Sequence, residues 1–419
     1  MPLPEPAPLA AGLPGGLLPL GGPRPFQPAA GGGRGPRRRG RVRRRRPRRG
    51  PGPRRCSGRP GRGPGGDSSH RRHPLPAGAW LLRTAHCSRG VSARPAPGSG
   101  GGAVNAPALA REELLRLDPG RESAVTIGKF DGVHRGHQHL VSWTVARARE
   151  LGLASVVITL HPNPLTVLRP GMPITYLCSL EERLEMLRSL GPDWVGVLTF
   201  TSELALLSAR DFVALLQETV RMRLLVGGPD MALGRDREGT LAVLSQLGRE
   251  MGFRVETAPM LVEEGQKVGS SALRQALAEG DMEEVARLLG RPYRLRGPVV
   301  RGAGRGRDLG FPTANVAVAP DLALPAYGVY VTMAHVGGAA LPSCTNVGVR
   351  PTFADEGPAV TVEAYILDYE GDLYGQVIGL EFLHRLRDEL KFSSVAELVA
   401  AMHRDIEHTR QYLARAAQG

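Results

Sequence analysis

The sequence predicts an α/β domain on a parallel sheet from about residue 105 to 288. A small antiparallel β-barrel with one C-terminal helix follows over 289–419, and a leader with nothing to fold precedes both at 1–104. Three observations carry this. Apolar β-prone runs alternate with helical stretches through the first region, the pattern of buried parallel strands with helical crossovers. The second region has short strands between glycine-rich turns and then a single long helical stretch, the pattern of a small barrel. The leader is built from Pro, Gly, Ala and Arg and has almost no side chains with which to make a core.

The leader holds 21 Arg, no Lys and only Glu5 and Asp67 as acids before residue 104, a net charge of +19. The whole chain of 419 residues carries +14, so the remainder is mildly acidic and the basic pI says little about it. With its ordering entropy uncompensated, the leader is expected to be disordered. Three readings of it stand open. An Arg-rich arm would bind polyanions in a salt-dependent way. A transit peptide would be Arg-rich and acid-poor, but the Pro and Gly content works against the amphipathic helix it needs. The third is upstream reading frame with the start placed too early. Met172 is the first Met after Met1 and lies beyond His134 and His137, whereas a GTG codon at Val104 would serve as a start.

No apolar run approaches the roughly 20 residues that span a bilayer. Cys56, Cys87, Cys178 and Cys344 have neither pairing nor metal-ligand spacing, which fits a reducing cytoplasm without structural zinc.

In order, "AVTIGKF", "ASVVITL", "WVGVLTF", "RLLVGG" and "FRVETAPML" read as strands of the first domain. "QHLVSWTVARARELG", "SLEERLEMLRSLG" and "DFVALLQETVRMR" read as helices between them. "EGDMEEVARLLGRPYRLRG" links the domains, with Gly280 and Pro292 bracketing a short helix. "GVYVTMAHVG", "AVTVEAYILD" and "QVIGLEFLHRL" then read as barrel strands, and "SVAELVAAMHRDIEHTRQYLARA" as the closing helix.

The first strand runs into "TIGKFDGVHRGHQHL", which places His134 and His137 one turn apart at a helix start. Both can face one ligand. Free N–H groups and the helix dipole favour phosphate there, and Gly128, Gly132 and Gly136 would admit close approach of the backbone. The imidazoles could hold charge growing on phosphoryl oxygens during in-line displacement. A helix cap with surface histidines fits the same residues. A metal site with His139 as third ligand lacks a further partner at suitable spacing.

In the second region, "GPVVRGAGRGRDLGFPTANV" has no Gly-Lys-[Ser/Thr] and so is not a P-loop. Gly302, Gly304 and Gly306 indicate close backbone approach or a plain tight turn. Thr313 and Asn315 offer hard oxygen donors suited to Mg²⁺.

"GKFDGVHRGHQHL" resembles the HxGH motif of the nucleotidylyltransferase superfamily, and its flanks resemble the adenylylation half of bacterial bifunctional riboflavin kinase/FAD synthetases. "LHPNPLTVL", "GGPDMALGRDREGT" and "VGSSALRQALAEGDMEEVARLLGRPY" follow in that family's order, with Met231 and Leu233 where aromatics are usual and Gly269 where Ser is usual. The resemblance implies a Rossmann-like nucleotidylyltransferase domain. In it, His134, His137 and Arg274 would serve catalysis, Gly128, Phe130, Gly132, Ser270 and Ser271 would bind ATP, and His161 and Asp230 would meet the flavin. No protein nucleophile is implied, because the FMN phosphate attacks as an anion and pyrophosphate leaves.

The run 297–316 resembles the riboflavin kinase motif G-x-G-R-x-L-G-F-P-T-A-N, and "LPAYGVYVT", "TNVGVRPTF", "TVEAYILDYEGDLYG" and "LRDELKF" follow. The resemblance implies ATP at Gly302, Gly304 and Gly306, magnesium on Thr313 and Asn315, Glu363 as general base, and Arg387 at the flavin. Tyr365 stands where His is common, and an ion pair with a nearby acid would explain Arg387 equally well. The expected substrates are riboflavin, FMN and ATP, with Mg²⁺, in the cytoplasm, with no membrane and no nucleic acid unless the basic leader is real. Competing readings are a kinase with altered adenylylation, prompted by Met231 and Leu233, and an Arg-rich nucleic-acid-binding protein.

Overall fold

The computed structural model describes residues 107–172, 174–263, 266–302, 306, 309–350 and 359–418. The expectations for the leader, including Cys56, Cys87 and Val104, and the placement of Gly304 lie outside the described residues.

Five strands of the first region form one parallel sheet. They are β1 (Ser123–Gly128), β2 (Ala154–His161), β3 (Trp194–Thr199), β4 (Met222–Gly227) and β5 (Arg254–Thr257). Their order is β3-β2-β1-β4-β5. The central β1, β2 and β4 are buried nearly throughout and read as continuous apolar runs, whereas β3, at an edge, is only partly buried. Helices cover both faces. α1 (Ala108–Leu115) and α6 (Ala209–Val220) pack with α7 (Leu241–Met251) on one face, while α2 (Arg135–Glu150) and α4 (Leu180–Ser189) cover the other. The start of α4 is fixed by a reciprocal capping box between Ser179 and Glu182. Chain order reverses between β1 and β4, and the carboxyl ends of strands at such a switch point form a crevice. The turn carrying His134 lies there.

A glycine corner then joins α8 (Ser270–Glu279) to α9 (Met282–Leu289). Gly280 sits at φ 77° with the Arg385 side chain and the Tyr330 hydroxyl packed against it, so no Cβ fits. The barrel closes in the order β6-β7-β10-β9-β8-β11. Its strands are β6 (Tyr293–Val300), β7 (Ala314–Val316), β8 (Gly328–Val336), β9 (Ala339–Arg350), β10 (Ala359–Ile366) and β11 (Val377–Asp388). The closing helix is Val395–Ala416, capped by Ser394.

The two halves share a core. Leu177, Leu273, Leu277 and Val285 belong to the same buried cluster as Tyr330, Leu380 and Phe382 of the barrel. Tyr176 also exchanges backbone hydrogen bonds with the barrel segment 321–323, at 2.6 and 2.7 Å. Hydrophobic burial therefore runs across residue 288, where the sequence pattern changes from alternating to antiparallel.

Candidate active sites

The first candidate site is assembled on the turn after β1. His134 is the N-cap of α2, extended at φ −65°, ψ 167°, and its Nδ1 accepts a 3.3 Å hydrogen bond from the His137 N–H. The two imidazoles stack at 3.7 Å between centroids and 17° between planes, and the Phe130 ring meets His137 edge-on at 5.3 Å. Burial pushes the His137 pKa well below the ordinary histidine range, and neighbouring His134, Arg183 and Lys129 push the same way. His137 Nδ1 is buried without a hydrogen-bond partner among the described residues.

The glycines of this turn are hemmed in by the protein itself. The space a Cβ would take is filled by the Phe130 ring at Gly128, by Leu177 at Gly132, and by the His134 ring and Val268 carbonyl at Gly136. They let the protein pack against its own turn. The contact between Gly136 and Val268 also brings a second helix start alongside, because Ser270 opens α8 and Gly269 supplies no side-chain cap. The starts of α2 and α8 thus lie side by side.

Arg274, one turn into α8, donates to Asp131 Oδ2 at 2.5 Å and to the Thr175 and Ser270 carbonyls at 3.1 and 3.3 Å. Asp131 Oδ1 accepts from the Leu177 N–H at 2.8 Å and from buried Arg183 at 3.5 Å, and Arg183 also donates to the Lys129 carbonyl. Sequence reasoning passed over Lys129, Asp131 and Arg183. The Asp lies inside the quoted motif, but Arg183 sits in an unremarkable helix and only the fold brings it in. Burial and Arg274 push the Lys129 pKa down, with Asp131 opposing them.

His161 ends β2 beside Tyr176, with 5.6 Å between ring centroids, and burial and then Arg183 lower its pKa. Asp230 is exposed on the loop after β4, where its carbonyl accepts from Arg237. Ser271 is exposed and Ser270 half-buried.

The second candidate site lies on the barrel. Asn315 on β7 stands directly opposite Glu363 on β10, which in turn stands opposite Asn346 on β9. Gly302 presses onto this row, where a Cβ would lie 2.4 Å from the Asn315 amide nitrogen, while at Gly306 a Cβ would lie 2.4 Å from the Phe311 carbonyl and 3.3 Å from the Thr313 hydroxyl. Backbone lies close to side chains at both glycines, and the Gly306 carbonyl also accepts from the Leu309 and Phe311 N–H groups, as in a tight turn. A cavity of about 520 Å³ opens beside them, lined by Val299, Arg301, Thr313, Ala364, Tyr369 and Tyr374. Tyr365 meets Phe311 edge-on, and Phe311 meets His403 of the closing helix, a residue the sequence did not single out.

Arg387 is held by the closing helix. Its Nε and Nη2 donate to Asp405 on the closing helix, at 2.9 and 2.7 Å to the nearest oxygens, and Nη1 donates to the Asp388 carbonyl. This is the ion pair with a nearby acid that the sequence left open beside a flavin contact.

Among the described residues no three His, Cys, Asp or Glu side chains cluster as a metal site, and no helix is long and apolar enough to cross a membrane. Described Cys178 and Cys344 are free and buried.

Comparison with known proteins matches residues 118–272 to an FAD synthetase family and residues 289–413 to a riboflavin kinase family. The bifunctional riboflavin kinase/FMN adenylyltransferase of Escherichia coli K12 is 36% identical over 300 residues, which cover 71% of this chain and 95% of that one. Its counterpart from Listeria monocytogenes is 34% identical over 292 residues, covering 70% and 92%. A crystal structure described as a macrolide-efflux protein from Streptococcus pneumoniae superposes with a TM-score of 0.64 at 33% identity, covering 69% of this chain and 94% of that one. With relatives of this identity matched over nearly their whole length, the chain belongs to the family of bifunctional riboflavin kinase/FMN adenylyltransferases.

Proposed function

We propose that this protein makes FAD from riboflavin in two ATP-dependent steps at two sites, phosphorylation in residues 289–419 and adenylylation in residues 105–288. The observation that carries the reading is the stacked pair His134/His137 at one helix start, beside the uncapped start of α8 and Arg274. The orphaned Nδ1 of His137 supports it, since a buried polar atom without a partner costs stability that a ligand oxygen can return.

In adenylylation, an FMN phosphate oxygen attacks the α-phosphorus of ATP as the bond to the leaving pyrophosphate breaks. His134 and His137 donate to the triphosphate oxygens as charge grows on them. Ser270 and Ser271 offer N–H and hydroxyl donors, and Arg274 a guanidinium fork whose geometry Lys cannot copy. Gly128, Phe130 and Gly132 shape the floor of the ATP site, and His161 and Asp230 border the flavin.

In phosphorylation, Glu363 takes the proton of the ribityl 5′-hydroxyl as that oxygen bonds to the γ-phosphorus and ADP leaves. Gly302, Gly304 and Gly306 would wrap ATP, and Arg387, fixed by Asp405, would border the isoalloxazine. Thr313 and Asn315 present neutral oxygens with Glu363 opposite, a hard donor set that fits Mg²⁺ retaining several waters. Bound there, Mg²⁺ would supply charge neutralisation of the phosphates. Such an enzyme would work where ATP and riboflavin meet, in the cytoplasm.

Product analysis with riboflavin, ATP and Mg²⁺ tests the division. His137→Ala should abolish FAD while FMN accumulates, and Glu363→Gln should abolish FMN formation while supplied FMN still becomes FAD. Loss of both activities in either folded variant would overturn the two-site assignment.

A further inference from the structure

The turn that delivers His134 is conformationally demanding. Phe130 (φ 46°), Gly132 (φ 75°) and Val133 (φ 40°) are all left-handed, a region glycine enters freely and a β-branched residue rarely does. Such a turn persists only when its surroundings over-determine it. Three side chains close around it. Cys178 Sγ accepts from the Gly132 N–H at 3.3 Å. Gln138 Nε2 donates to the Val133 and Leu289 carbonyls, both at 2.8 Å. Arg291 donates through Nη2 to the Gly132 carbonyl at 2.8 Å, and through Nη1 to the carbonyls of Val133 at 3.4 Å and Leu289 at 3.3 Å.

Arg291 stands out because it does not belong to the adenylylation half. It lies two residues beyond α9, at the entrance to barrel strand β6, inside the stretch that matches riboflavin kinases. Its hydrogen bonds end on main-chain carbonyls, and burial lowers its pKa, so a charged group has been brought out of water to hold backbone.

We propose that Arg291 is a positioning residue for adenylyl transfer, by which the kinase half holds the strained Phe130–Val133 turn and so sets the attitude of His134 toward the triphosphate. The inference rests on the reading of His134 and His137 as triphosphate ligands. It implies that the adenylylation site is complete only when the first residues of the barrel are docked beneath it. Arg291's hydrogen bonds all end on main-chain carbonyls, so its removal should cost geometry and leave substrate binding nearly intact.

Steady-state kinetics of Arg291→Met in the full-length chain test this, with both activities measured on one preparation. The kcat for FAD from FMN should fall about tenfold or more, as misplacement of a catalytic group by about 1 Å does, with KM for ATP and FMN within about twofold. Riboflavin phosphorylation by the same sample should stay within about twofold, and Arg291→Lys should recover part of the kcat. If Arg291→Met does not yield folded protein, Gln138→Met, which releases the same Val133 carbonyl, should give the same split. An unchanged kcat, a rise in KM alone, or parallel loss of both activities would overturn the proposal. His137→Ala separates the two levels: if it spares FAD formation the triphosphate reading fails, whereas if only it abolishes FAD formation and Arg291→Met does not, Arg291 alone is misassigned.

Discussion

Asp131 accepts a 2.5 Å hydrogen bond from Arg274, although 143 positions separate them and Asp131 is almost fully buried. The same carboxylate faces buried Arg183 at 3.5 Å, so one acid lies between two guanidiniums. One of these belongs to α8 and the other reaches the backbone of the histidine-bearing turn through the Lys129 carbonyl. Asp131 is therefore the point at which α8 and the turn are locked in register.

Asp131→Ala should destabilise the protein by about 3–5 kcal/mol, because removing the acid strands the fully buried Arg183 guanidinium without its counter-charge. Urea unfolding measures this. FAD formation should drop further than FMN formation, since the loosened groups lie in the adenylylation half, and a variant as stable as the parent would refute the arrangement.

A pH dependence follows from His137, whose pKa burial holds well below 6.5. The folded protein then binds fewer protons than the unfolded chain below pH 6.5, so stability rises with pH there and is lost as pH falls through the unfolded value. His161, also depressed, acts in the same sense. His137→Asn removes one titrating group, and thermal unfolding between about pH 5 and pH 7 should show a flatter dependence of Tm than in the parent. Identical slopes would mean that His137 is not held neutral by its surroundings.

The parallel sheet was legible in the sequence because each central strand is buried on both faces and so reads as an unbroken apolar run. "AVTIGKF" and "ASVVITL" needed no tertiary information. Barrel strands β6 and β9 were not. β6 alternates buried and exposed residues and contains Gly297 and Pro298, while β9 contains Pro342 and Gly348, so their strand character comes from closure of the barrel. The site divides in the same way. His134, His137 and Arg274 stand in recognisable motifs, and the structure brings them to one crevice. Arg183, Gln138 and Arg291 act on that crevice through backbone carbonyls, contacts that leave no mark on the pattern of residue types.

Gly302→Ala probes the barrel site without touching a charge. A Cβ there would lie 2.4 Å from the Asn315 amide nitrogen, too close for both to remain. The Asn315 side chain would have to swing aside while its backbone stays paired opposite Glu363. FMN formation should fall about tenfold or more and require more Mg²⁺, while FAD formation from supplied FMN should be unaffected. Equal kinase rates at limiting Mg²⁺ would show that Asn315 has no part in phosphate handling.

The closing helix is tied to the barrel through Arg387 and Asp405, a two-pronged pair whose acid is almost fully buried and whose guanidinium is about one-quarter exposed. Asp405→Ala leaves that guanidinium without its acceptor, and the partial exposure of Arg387 limits the cost to about 1–3 kcal/mol. The consequence should be local. Cys344 on β9 lies in the cluster that Ile406 of the same helix covers, and burial raises its thiol pKa to about 12, with a hydrogen bond to Thr409 opposing. Such a thiol is almost unreactive at neutral pH while the helix is docked. Freed from Asp405, the helix should open more often, so thiol-reagent labelling of Cys344, read by peptide mass spectrometry, should accelerate while buried Cys178 keeps its parental rate. FMN formation should weaken with it, because Arg387 would lose the acid that fixes its fork. If Cys344 labels at the parental rate in Asp405→Ala, packing alone holds the helix and the ion pair serves only to orient Arg387.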